Sequence, residues 1–320
     1  MKLHAELTTK HNLTTGAAKP SDGPNLAGRD LTRRDFHGAN LKGADLSDAN
    51  LQGAYLQGAD LRLANLQGAN LQGVTLRGAN LAQARLLGSN LRWASLIGAD
   101  LRGANLAEAS LQEAKLLDAL LQDADLSDAN LCGANLAGAV LRSARLRFAN
   151  LYGANLWFVQ LEKADLSQAN LRQADLACAD LRGAYLIDAD LAGARLHQAR
   201  LQETHLNRES LGEAIGEEMD GAYLKAREAY ESLRMNFEAL GQHDDASWAY
   251  AKAQRMGQAT HWPPSRARQF YGEHELRPAS VSLAGPVLLG VFYSRHLLSY
   301  LSHWLLERAV VLGPALLRTP

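Results

Sequence analysis

Aspartate or asparagine stands directly before leucine again and again in this 320-residue chain, as at Asp45, Asn50, Asp60, Asn65 and Asn70. Carboxylates held close together can share general acid and base work. Here they recur in one fixed slot of a repeat, so neighbouring carboxylates follow from the repeat without any catalysis. The ten histidines show no metal-ligand spacing. His296 and His303, seven residues apart, mark the polar face of a helix rather than a ligand pair. There is no phosphate loop, nucleophile elbow or zinc spacing. The reactive residues therefore predict no catalytic, cofactor or metal site and no enzyme.

The element that carries the slot is a strict period of five. From Leu26 to Leu206 a large apolar residue occupies every fifth position, 37 in succession, all leucine except Phe36. With that position called i, alanine fills i−2 from Ala39 to Ala199, except at Val74, Ser89 and Val159. A helix would scatter this pattern around its axis, and a straight strand would send alternate leucines to opposite faces. A chain that turns a corner once per five residues removes the conflict. The residues at i and i−2 then point inward, and glycine at i+2 (Gly38, Gly43, Gly53, Gly58) suits the corners. The expected form is a solenoid whose sides are short extended segments.

Asparagine sets the number of sides. Sorted at a period of 20, the twelve i−1 asparagines between residues 30 and 200 fall six, two, two and two. The rich column reads Asn50, Asn70, Asn90, Ser110, Asn130, Asn150, Asn170, as stacked amide ladders would arrange it. Sorted at 15 the columns are even, so four sides per coil are predicted. The 37 pentads make about nine coils, a rod of about 44 Å at the usual strand spacing.

The run ADLSDANLQGAYLQGADLRLANLQGAN, Ala44 to Asn70, resembles the pentapeptide-repeat family, whose motif is A(D/N)LXX. The resemblance covers residues 26–206. It implies a mainly β fold, a right-handed quadrilateral β-helix, here followed by a C-terminal α-helical region. It also implies a bacterial protein that acts by binding rather than by chemistry. Gyrase-protecting members of the family resemble DNA in shape and negative charge, which offers one reading as a DNA-mimicking topoisomerase regulator. Residues 26–206 carry 18 basic and 19 acidic groups. A mimic of duplex DNA, with about one charge per 1.7 Å, needs a far more acidic rod. The net charge of −1 likewise predicts no nucleic-acid partner.

Outside the repeat, residues 1–25 read as a flexible polar leader without the apolar core of an export signal. Residues 207–260 read as a helical hairpin or cap: a capping box at Ser210 and Glu213, one helix through Tyr223 and Leu233 to a stop at Gly241, and a second opened by Asp244 and Asp245. Residues 261–278 form a linker and 279–320 an apolar helical tail. Uncharged runs of 16, 10 and 9 residues in that tail are too short to span a bilayer. The tail is left with two readings, packing on the chain's own helices or lying on a membrane surface, the second making the rod the cytosolic part of a membrane-attached assembly. A homodimer through the C-terminal helices is a further expectation. Free Cys132 and Cys178, more than two coils apart, point to a reducing cytoplasm.

One column of exposed positions is apolar at a period of 20: Ile97, Leu117, Ala137 and Trp157, with Phe158 and Cys178 beside it. Stacked apolar residues facing outward suggest a contact surface. Ile97, Leu117, Trp157 and Phe158 are the candidate partner surface. The function expected is a rigid scaffold binding a protein partner whose identity the sequence leaves open.

Overall fold

The structure, a computed structural model, describes residues 23–260. The leader, the 261–278 linker, the 279–320 tail, His296 and His303 lie wholly or largely outside those residues. Parallel bridges join each i−1 residue to the one 20 positions on, from Asn25↔Asp45 to Tyr185↔His205. Bridges fall at every fifth residue, so each coil of 20 has four sides. Each side contributes one bridging residue, and the described residues contain no longer strand. The short extended segments expected from the sequence are therefore shorter still, because a turn begins at the very next residue.

The pentad Leu101–Asn105 shows how five residues satisfy their backbone. Leu101 N–H donates to Leu120 of the next coil at 2.7 Å, and Gly103 N–H to Gln122 at 2.9 Å. Ala104 N–H closes the turn onto Leu101 O at 3.0 Å, and Asn105 N–H returns to Ala84 of the coil before at 2.9 Å. Arg102 N–H, which faces no neighbouring carbonyl, donates to the Asp100 side chain at 3.2 Å. Five donors find five acceptors, as a buried backbone requires. The aspartate or asparagine of the repeat thus supplies the acceptor that the coil geometry withholds at i+1, in an Asx turn.

The corner at i+2 is left-handed in every pentad from Gly28 to Glu203, 16 times on glycine and 20 times on other residues. Positive φ at the third residue of a closed four-residue turn is the type II pattern. Glycine suits it without strain; elsewhere the closed ladder on both flanks holds Leu63, Trp93 and Glu113 there. Inside, the i leucines and i−2 alanines are buried without a break, and Phe36 fills the first coil.

After the last coil come a short 3-10 turn Arg208–Leu211 and three helices: α1 (Gly216–Met219), α2 (Tyr223–Ala239) and α3 (His243–Ala259). The capping box expected at Ser210 and Glu213 is not formed. Ser210 lies inside the 3-10 turn, where Asn207 caps its N–H at 3.1 Å. The segment leaves the solenoid too tightly to open an α-helix there. Helices α2 and α3 pack through Ala226, Leu233 and Phe237 against Ala249, Ala253 and Met256. Tyr230 meets Trp248 edge to face at 5.6 Å, and Gly241 (φ 72) turns the chain between them. No helix among the described residues is long and apolar enough to cross a membrane.

Candidate partner surface

The aspartates of the i−1 slot are already engaged, each accepting the i+1 N–H. Asp45 Oδ1 accepts from Ser47 N–H, from the Ser47 hydroxyl and from Asn65 Nδ2, at 3.1, 2.7 and 3.0 Å. The Ser47 hydroxyl, foremost, holds its pKa below the ordinary carboxylate value. On the side that carries Arg102, Arg62 forks onto Asp60 and Arg102 onto Asp100, each with one contact of 2.6 Å. These guanidinium hydrogen bonds lower both aspartates. Further along, Glu162 joins Arg142 and Arg182, and Asp180 joins Arg182 and Arg200. A carboxylate tied to an arginine or to its own backbone is a poor proton acceptor. Among the described residues no group of three His, Cys, Asp or Glu could hold a metal ion, and Cys132 and Cys178 are not joined in a disulfide.

On the asparagine side the amides bond to one another in a ladder. Asn70 Nδ2 donates to Asn50 at 3.0 Å, and Asn90 to Asn70 at 3.1 Å. The ladder resumes beyond Ser110 with Asn150 on Asn130 at 3.4 Å and Asn170 on Asn150 at 3.1 Å.

The Ile97 side is different. Gly98 N–H bonds Leu117 O and Gly138 N–H bonds Trp157 O, both at 2.9 Å, which keeps this column in coil register. Ile97, Leu117 and Trp157 are half-buried, while Phe158 is exposed and meets Trp157 edge to face at 4.3 Å. The four residues singled out in the sequence thus share one side, spread over four coils. Around the corner Leu120 and Val140 bridge to each other in the i−1 slot, and sequence reasoning missed both. The readable signal was an apolar residue where the motif calls for Asp or Asn, a substitution that deprives the i+1 N–H of its acceptor.

The column ends at buried His197, whose Nδ1 lies 3.3 Å from Glu228 of α2. Beside it α1 and α2 meet the last coil. Glu217 Oε1 accepts Leu196 N–H and His197 N–H at 2.7 and 2.5 Å. Asn236 accepts from Thr204 N–H at 3.2 Å and donates to its carbonyl at 2.9 Å; Gln242 donates to Leu206 O at 3.0 Å. Burial pushes the Glu217 carboxyl up, against the pull of those N–H groups. Behind it Lys252 reaches Glu218 at 3.1 Å, and Tyr230 donates to the same carboxylate.

A family model for pentapeptide repeats matches residues 30–68, 44–83, 59–96, 84–118, 119–157 and 164–202, in eight copies. The chain belongs to the pentapeptide-repeat family. A comparison with curated protein sequences finds no match. Among solved structures it is similar to HetL, a pentapeptide repeat protein involved in heterocyst differentiation regulation from the cyanobacterium Nostoc sp. strain PCC 7120. The identity is 36% over 58% of this chain and 88% of that one, with a TM-score of 0.31. It is also similar to QnrB1, a plasmid-mediated fluoroquinolone resistance protein, at 19% identity over 60% and 88%, TM-score 0.36. A third similar structure is a pentapeptide repeat protein from the Arabidopsis thaliana thylakoid lumen, at 24% identity over 49% and 68%, TM-score 0.10.

Proposed function

We propose that this pentapeptide-repeat protein is a non-enzymatic scaffold, a rod wound in the family's right-handed sense that binds a protein partner through the Ile97 side. The observation that carries the reading is the contrast between sides. Carboxylates and arginines pair along the Arg102 side and amides pair along the Asn70 side, while Ile97, Leu117, Trp157 and Phe158 stack along the third. The helices act as a cap, their side chains taking the place of a tenth coil. The setting we infer is the cytoplasm, with segment 279–320 available for a membrane surface. Exposed Leu224, Met235 and Tyr250 offer the helices as the alternative contact for a homodimer.

The test is capture of partners by the full chain and by a Trp157→Asp, Leu117→Asp variant with an unchanged circular dichroism spectrum. Partners retained by the variant would remove the Ile97 side from the proposal. Turnover that vanishes on changing one polar residue would end the non-enzymatic reading. The gyrase-regulator alternative predicts protection or inhibition in a supercoiling assay at micromolar protein; a near-neutral rod with forked arginines predicts neither.

A further inference from the structure

We infer that the Ile97 side receives the carboxylates of an acidic segment of the partner, through the backbone N–H groups of Gln57, Arg77 and Ile97. This rests on the reading of that side as a binding surface and names the chemistry of its occupant. In most pentads Asp or Asn at i−1 takes the i+1 N–H, as Asp100 takes that of Arg102 at 3.2 Å. On this side Tyr55, Thr75, Ser95 and Lys115 fill the i−1 slot in four successive coils. Among the described residues the N–H groups that follow them, on Gln57, Arg77, Ile97 and Leu117, meet no acceptor. Gly58 N–H bonds Arg77 O and Gly78 N–H bonds Ile97 O, both at 3.0 Å, which keeps the row in coil register. Its donors therefore recur about every 4.8 Å along the rod.

The same column contains the precedent. Asn135, Asn155 and Asp175 restore the acceptor for Ala137, Trp157 and Ala177, each at 3.1 Å. The next pentad carries Arg195 in the slot, and there the acceptor comes from outside the repeat. Glu217 Oε1 takes His197 N–H at 2.5 Å and Leu196 N–H at 2.7 Å. A carboxylate on another element thus docks where the repeat leaves this column open, in a bond stronger than a neutral acceptor makes.

Charge places an acidic occupant over three of the four open groups. From Gln57 to Ile97 one edge of the side is Gly53, Gly73 and Trp93, and the other Gly58, Gly78 and Gly98. Between them stands a single ionised residue, Arg77, which is exposed and forms no ion pair among the described residues. Arg92 adds a second cation beside Trp93, 5.3 Å from its ring. Across the far corner Asp60 and Asp100 are already forked by Arg62 and Arg102. One coil before the row, Asp35 closes His37 N–H at 3.0 Å, with exposed Arg33 and Arg34 next to it in the chain. At Leu117 exposed Lys115 is outnumbered by exposed Glu113 and Asp118, so that N–H is left out. The glycine edge leaves room for approach, since a Cβ added at Gly58, Gly78 or Gly98 would meet nothing within 4 Å. A second open run, on Gln122, Arg142 and Glu162, carries Asp123 and Glu162 itself, which oppose an incoming acid.

Amide NMR of the full chain titrated with an oligoglutamate peptide tests the assignment. The Arg77 and Ile97 amide signals should move, and a glycine–serine peptide of equal length should leave them in place. Thr75→Asn with Ser95→Asn supplies both N–H groups with the repeat's own acceptor and alters no charge. That variant should bind oligoglutamate about tenfold more weakly, for the loss of two charge-assisted hydrogen bonds. Arg77→Gln should keep the shift at the Ile97 amide, because the backbone makes that contact. The proposal is overturned by a wild type that does not bind, by shifts that bypass both amides, or by equal affinity in the asparagine variant. Loss of the Ile97 shift in Arg77→Gln overturns it too. Circular dichroism and melting check each fold, and Thr75→Asn or Ser95→Asn alone, closing one amide each, serve if the pair perturbs it. If oligoglutamate leaves wild type untouched while Trp157→Asp with Leu117→Asp still loses captured partners, the acidic occupant falls and the scaffold reading stands.

Discussion

Replacing Asn70 by alanine separates what the repeat's asparagine does for the backbone from what it does for its neighbours. In the structure Asn70 accepts from Gln72 N–H at 3.3 Å and from Asn90 Nδ2 at 3.1 Å, and donates to Asn50 at 3.0 Å. Each such bond contributes about 0.5–1.5 kcal/mol net, and water replaces part of it at a half-exposed site. Asn70→Ala should therefore cost about 1–3 kcal/mol. Asn70→Asp keeps both acceptor bonds and loses only the donor to Asn50, so its cost should be about 1 kcal/mol or less. Denaturant unfolding of the two variants measures the difference. Hydrogen exchange at the Gln72 amide reads the local cause, with faster exchange in the alanine variant and protection kept in the aspartate variant. Equal losses, or an unchanged Gln72 amide in Asn70→Ala, would refute the assignment of this slot to backbone satisfaction.

Other changes test other parts of the molecule. Ser89 occupies an alanine slot, is fully buried, and its hydroxyl has no hydrogen-bond partner; Ser89→Ala should stabilise the rod by about 1 kcal/mol, seen as a raised unfolding midpoint. Leu121, mid-rod and wholly buried, should cost about 2–5 kcal/mol as Leu121→Ala, measured the same way. The rod and its helical end should respond oppositely to pH. Asp45, Asp60 and Asp100 have lowered pKa values, so their contribution is present above the ordinary carboxylate range and lost as pH falls through the folded values. Glu217 is raised, so its contribution is complete below the ordinary glutamate value and lost as pH rises through the folded one. Exchange at the Leu196 and His197 amides should quicken with rising pH beyond the intrinsic rate in wild type, and Glu217→Gln should flatten that excess.

The solenoid was legible because its rule is local and repeated. Leucine every fifth residue forces a corner per pentad, and the six-membered asparagine column picks out four sides, which the n to n+20 bridges bear out. The ladder was read correctly, but it is the lesser role of the slot. The Asx bond to i+1 also serves where no ladder exists, as at Asn105 and Asp175, and it depends on backbone angles that no residue name announces. Glycine marked some corners, yet Glu108 and Phe148 take the same left-handed angle because the coils on either side leave no other. The helical end was the least legible part. Glu217, Asn236 and Gln242 act at separations of 20, 32 and 36 residues, where helix propensity carries no information. Leu120 and Val140 were visible as breaks in the motif, but only coordinates place them beside the Ile97 column.

Because every coil consumes four interchangeable pentads, removing five residues from the middle leaves the leucine stack unbroken yet swings everything downstream through a quarter-turn. Trp157 would then move out of line with Ile97, and α2 would leave the rod over a different side. Loss of twenty residues shortens the rod and restores the bearing. Length changes in this molecule thus act as a dial with four stops, and only whole revolutions keep distant contact points aligned.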